Sequence, residues 1–223
     1  GYLQHIEYEG LADWAAERRT AVRLLIRPGS YVFPGAPIAL VDPHVEGADR
    51  AIYSATALGS RQAGADDIEF AVRQLVEVAV RALSPGINDP FTAITVLDRL
   101  GASLCEIAGL KLPTNVVVRD DQCVLVVPSV DYDGLIDASF HMIRQNASGK
   151  PSVLIRMLHI FTSVASCEND PYRVLALRRH ARLVLSDAER DVPNKSDLDD
   201  IRDAHHAFEL MVSGGPKASL GIL

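Results

Sequence analysis

The stretch RALSPGINDPFTA, residues 81–93, limits the fold of this chain more than any other. Before it, residues 68–83 are apolar around most of a helical circumference, with Glu69, Arg73, Glu77 and Arg81 recurring every four positions. That spacing belongs to a helix carrying one charged stripe, its charges paired i to i+4 and facing solvent. After it, Phe91, Ile94, Leu97, Leu100, Leu104 and Ile107 return at helical intervals. In between, Pro85 lacks the N–H a continuing helix needs, Gly86 suits the positive φ of a helix exit, and Asp89-Pro90 supplies an N-cap with proline at N1. The pattern predicts two antiparallel helices, 68–83 and 90–110, packed side by side around a tight corner.

Every polar residue of the corner has a local task except Asn88, whose side chain either bonds the neighbouring turn or faces a ligand. If the stripe faces the corner instead of solvent, Arg81 pairs with Asp89 across it. A structural corner is the favoured reading.

The remaining chain reads as α+β: a mostly helical core, a small β-rich module at the amino end and a short β-ribbon. Residues 1–58 alternate short strands with the turns Pro28-Gly29 and Pro34-Gly35, and RPGSYVFPGAPIALV has the turn-and-strand character of small barrel-sandwich modules. Lipoyl and biotinyl carriers of that shape need a hairpin lysine. No lysine precedes Lys111 here, so cofactor attachment is vetoed and no cofactor is expected. Residues 59–65, GSRQAGA, are a linker by composition, and the helical domain runs over 66–213. Within it, 115–127 is a ribbon around an acidic turn, expected to pair only with itself. Helices are expected at 131–145, 151–164, 171–186 and 197–212, the last opening with a Ser196–Asp199 capping box, and 214–223 is a loose tail.

A net charge of -7 removes the basic field that nucleic acid requires. The sequence contains no phosphate-loop glycine pattern, no G-x-S-x-G and no H-E-x-x-H. Asp199, Asp203 and His206 fall at i, i+4 and i+7 on one helix face, where they form either a divalent-metal row or an acidic first turn that complements the helix dipole. Arg173, Arg178, Arg179, His180 and Arg182 make a basic face over 171–186, expected to be solvated. Cys105, Cys123 and Cys167 are isolated in apolar surroundings, which predicts buried free thiols in a reducing compartment.

The stretches GYLQHIEYEGL, VRLLIRPGSYVFPGAPIALV and, most specifically, RQLVEVAVRALSPGINDPFTA resemble the DUF2254 family of predicted bacterial membrane proteins, with a weaker return in DASFHMIRQNASGKPSVLIRMLHIF. The resemblance implies an amino-terminal membrane region of several helices ahead of a domain like this one. It implies no established activity, substrate or cofactor, and it singles out Arg73, Arg81, Asn88 and Asp89, the polar members of the shared phrase, as the candidate ligand or partner residues. The expected function is accordingly that of an extramembranous, non-enzymatic domain for assembly, regulation or partner binding, on the cytoplasmic side of a membrane-anchored protein. Self-association is expected because helices this apolar exceed what one copy buries. The alternative is a metal- or small-ligand-binding sensor or enzyme, its small-molecule ligand unspecified, using the Asn88/Asp89 corner or the Asp199/Asp203/His206 face.

Overall fold

The computed structural model describes residues 1–61, 68–112, 115–128 and 131–219. Most of the expected linker, the expected helix start at Asp66 and the tail beyond Ser219 lie outside the described residues. The fold is α+β with a helical core, and the chain divides into two compact units, Gly1–Ala71 with Leu112–Val130 and Val72–Lys111 with Asp131–Leu223.

In the first unit β1 (Tyr2–Ile6) pairs antiparallel with β4 (Thr56–Gly59). A second sheet has the order β3 (Ala39–Asp42), β2 (Ala21–Leu24), β6 (Gln122–Val126), β5 (Val116–Arg119). The β5–β6 ribbon turns through Asp120 and Asp121, both at positive φ, the hand that matches the twist of paired strands. Contrary to expectation it does not stand alone: β6 joins β2 in parallel, Val22 opposite Leu125, so a segment from the middle of the chain completes the amino-terminal unit. The sheet is covered by α1 (Tyr8–Glu17), which buries Leu11, Ala12 and Ala15 on the face turned to Val22 and Leu125. Arg119 clamps the helix to the ribbon through Asp13 at 2.8 Å and through Glu9. A short helix, α2 (Ala48–Ala55), adds to the strands expected in this unit.

Neither sheet closes into a barrel among the described residues. The cause lies in the turn-rich segment that suggested one. Gly29 and Gly35 sit at positive φ and prolines interrupt the donors, so Tyr31 makes only an isolated bridge to Tyr2 where a barrel would need a continuous ladder.

The second unit is built around α6 (Pro151–Cys167), which packs against α4 (Pro90–Ile107), α7 (Pro171–Asp191) and α8 (Lys195–Ser219), while α5 (Tyr132–Asn146) packs on α7. Phe140, Phe161 and Phe208 fill the centre with Leu97, Leu154 and Met157, all fully buried. Asp98 pairs with Arg156 at 2.6 Å, and one turn on, Gly101 lies against Ile160. These contacts advance along both helices in the same sense, so α4 and α6 run parallel. A methyl on Gly101 would stand 2.6 Å from Ile160 Cγ2; the glycine lets the two backbones approach.

Helix ends follow local chemistry. Asp89, Asp131 and Asp170 each cap a helix by accepting backbone N–H bonds. At α8 the cap is Asn194, which accepts from Ser196 N–H at 2.9 Å, in place of the expected Ser196–Asp199 box. The expected tail turns at Gly215, and Ser219 Oγ donates to Ala207 O at 3.1 Å.

The helix α3 (Ile68–Leu83) departs from the predicted antiparallel pair, since among the described residues it packs lengthwise along no other element and α4 lies along α6 instead.

Candidate functional site

The corner between α3 and α4 is closed by its own backbone. Asn88 N–H donates to Ser84 O at 2.8 Å and Asp89 N–H to Ala82 O at 2.8 Å, so the chain doubles back onto the last turn of α3. The left-handed residue that makes this possible is Asn88, at φ 49, and not Gly86. Asparagine tolerates that conformation better than other residues carrying a Cβ.

Asn88 also has a partner that the local sequence does not reveal. Lys150 Nζ donates to Asn88 Oδ1 at 2.7 Å and to Leu83 O at 3.1 Å. A lysine at the start of α6 thus caps the carboxyl end of α3, where the helix dipole favours a cation, and ties down the corner. Asp89 accepts from Phe91 N–H at 3.0 Å, Thr92 N–H at 3.2 Å and the Thr92 hydroxyl at 2.6 Å. The hydroxyl and amide of Thr92 hold its carboxyl below the usual carboxylate range.

The expected Arg81–Asp89 pair does not form, because Arg81 reaches back one turn to Glu77 at 2.5 Å. Arg73 lies two turns earlier on the exposed side of α3. The charged stripe is not uniformly solvated either: Glu69 is buried and pairs with Arg27. Beside Arg73, Glu77 and Arg81, α3 also exposes apolar side chains. Ile68, Leu75 and Val78 are 54%, 38% and 48% exposed, and beyond the corner Phe91 is 80% exposed.

Asp199, Asp203 and His206 are exposed along α8, and Asp199 pairs with Arg202 at 3.3 Å. Among the described residues no three His, Cys, Asp or Glu side chains come together in a way that could hold a metal ion. Asp203 does line a cavity of about 440 Å³ with Asp200, His159, Ile155, Ala204 and Ala207, between α6 and α8.

Part of the predicted basic face of α7 is folded inward, while Arg179 and Arg182 remain exposed. Arg178 pairs with Glu209 at 3.0 Å and Arg179 with Asp137 at 2.8 Å. Arg173 meets Glu168 at 3.2 Å. His180 is fully buried; its Nε2 lies 2.7 Å from Asp137, its Nδ1 lacks a partner, and burial pushes the imidazole below its ordinary value. Arg144 and Asp187 form a second buried pair in the same unit. The cysteines are also less hidden than expected: Cys123 and Cys167 are exposed and Cys105 is half-buried, though all three are free thiols.

An α+β chain with a closed proline-rich corner and a helix that keeps an exposed apolar strip is the class of protein defined here. The chain belongs to the DUF2254 family, described as predicted membrane proteins, whose family model matches residues 1–163. It is 31% identical over 205 residues to uncharacterised proteins of Mycobacterium tuberculosis and Mycobacterium bovis, covering 88% of this chain. The chain spans only 39% of the length of those relatives. No solved structure matches it. No described helix is long and apolar enough to cross a membrane.

Proposed function

We propose that this chain is a part, outside the bilayer, of a longer membrane protein, and that it acts by assembly, joining copies through the seam of α3. The observation that carries this reading is the spacing of Ile68, Ala71, Leu75, Val78 and Ala82, alternately three and four residues apart, with the first four exposed. A 3-4 repeat is the seam of a coiled coil, and its natural occupant is another helix with the same repeat. A second copy supplies one. Burying such side chains is worth on the order of 1.5–3 kcal/mol for each one fully covered, enough to drive association.

Two further observations support a non-catalytic role. Within the family phrase, the side chains of the corner are engaged in capping and closing it, Asp89 with the start of α4 and Asn88 with Lys150. The exposed members of that phrase include Leu75, Val78, Ile87 and Phe91, the apolar surface an assembly contact uses. Three free thiols without a disulfide support a cytoplasmic position.

Amide exchange at low and high protein concentration tests the reading. Peptides covering 68–83 become more protected as concentration rises, while those from the buried α6 do not change. Concentration-independent exchange over 68–83 overturns it.

A further inference from the structure

The carboxyl ends of α4 and α6 form a polar cluster that the corner and the seam do not use. One nitrogen of Arg173 donates both to Ile107 O, at 3.4 Å, and to Glu168 Oε2, at 3.2 Å. The other donates to Leu110 O at 2.7 Å. Glu168 is itself buried and accepts the N–H groups of Asn169 and Asp170, so the clamp is rigid on both sides. Ile107 is two residues past Cys105 and Glu168 is one residue past Cys167. A single guanidinium therefore holds together the ends of two parallel helices, each of which carries a thiol in its last turn.

We propose that Cys105 and Cys167 are a redox pair, closing into an intramolecular disulfide by exchange with a small-molecule disulfide. Their surroundings divide the roles. Cys167 is exposed and meets the reagent first, whereas Cys105 is half-buried. Burial, and then the neighbouring Cys167 sulfur, push the Cys105 thiol up to about 11, which is the behaviour of two sulfurs too close to ionise together. Tyr132 belongs to the same cluster, with a buried hydroxyl that has no partner and with Arg173 stacked 5.0 Å from its ring centre.

In the first step the Cys167 thiolate attacks one sulfur of the reagent, forming a mixed disulfide and expelling one reagent thiolate. With Cys167 no longer able to carry charge, its opposition to ionisation of Cys105 is gone. The Cys105 thiolate then attacks Cys167 Sγ and expels the second reagent thiolate. Two protein thiols are oxidised, one reagent disulfide is reduced to two thiols, and the two protons released by the cysteines pass to them. In a reducing compartment such a bond is transient, which suits a sensor rather than a structural bridge.

The test treats the reduced, folded chain with oxidised glutathione, then alkylates and digests it. The expected product is a peptide pair joined through Cys105 and Cys167 within one chain, with Cys123 outside the link. In Cys105→Ser the same treatment leaves Cys167 as a stable glutathione adduct, and in Cys167→Ser the link is lost, with circular dichroism unchanged in both. Selectivity for the 105–167 link disappears in urea. Stable glutathione adducts on both Cys105 and Cys167 of the parent chain, or links that join two chains or involve Cys123, would overturn the proposal.

Discussion

Lys150 Nζ lies 2.7 Å from Asn88 Oδ1, joining the start of α6 to the corner that ends α3. The same ammonium reaches Leu83 O, so one side chain serves two groups of the corner. Lys150→Met should cost about 1–2 kcal/mol by removing charge-assisted bonds, read from chemical denaturation. At Asn88 the ranking is the sharper check. Asn88→Gly loses the amide but keeps the left-handed backbone at no steric cost, whereas Asn88→Ala adds roughly 1–2 kcal/mol for that conformation. Equal loss in the two variants would show that backbone conformation at this position does not matter.

Gly101→Ala provides a test of sign. In an exposed helix this change stabilises by about 1 kcal/mol. Here the new methyl meets Ile160 at 2.6 Å, and we expect a net loss of about 1–3 kcal/mol. Introduced on top of Ile160→Ala, the same change should cost less, because the obstructing side chain is gone. A gain in melting temperature from Gly101→Ala alone would mean that α4 and α6 do not approach so closely.

Much of this architecture can be read locally and some of it cannot. Asp89-Pro90 and Asp170-Pro171 mark helix starts because capping is decided within three residues. By residue type Gly86 is the candidate for positive φ, yet the closure of the corner onto Ala82 puts Asn88 there, and Lys150, 62 positions away, stabilises the result. The parallel union of β2 with β6 is similarly invisible, since strand periodicity says which face is buried and not which strand is adjacent. The basic residues of α7 look solvated in isolation. Their acids, Asp137 and Glu209, come from other helices, and only packing brings them together.

The Arg144–Asp187 pair is almost entirely removed from water, and Arg144 Nε has no partner of its own. Asp187→Ala strands the guanidinium and should cost about 3–5 kcal/mol. Combining Arg144→Met with Asp187→Leu should recover most of that loss, since desolvation of both charges is relieved together. Failure of the double variant to recover would show that the pair contributes net stability, contrary to this reading.

His180 gives the helical unit a pH dependence of definite sign. Burial lowers its folded value below the ordinary 6.5, against the favourable pull of Asp137 and with Arg179 and His141 opposing protonation. A depressed value means that the folded state prefers the neutral ring. Its contribution is therefore present above about pH 6.5 and is lost as the pH falls through the lower folded value. Thermal unfolding from about pH 7.5 to about pH 5 should show a steeper loss in the parent chain than in His180→Gln. His159 and His205, also lowered by burial, remain in both proteins and cancel in the comparison. Parallel curves would contradict the assignment.

The claim that α3 is a joining surface is tested most directly by the mass of the chain in solution. Light scattering over a range of concentrations should rise from 24.2 kDa towards twice that value, and Leu75→Glu should hold the mass at the single-chain value with unchanged circular dichroism. A parent chain that stays at 24.2 kDa throughout, or a Leu75→Glu variant that associates as well as the parent, would contradict it.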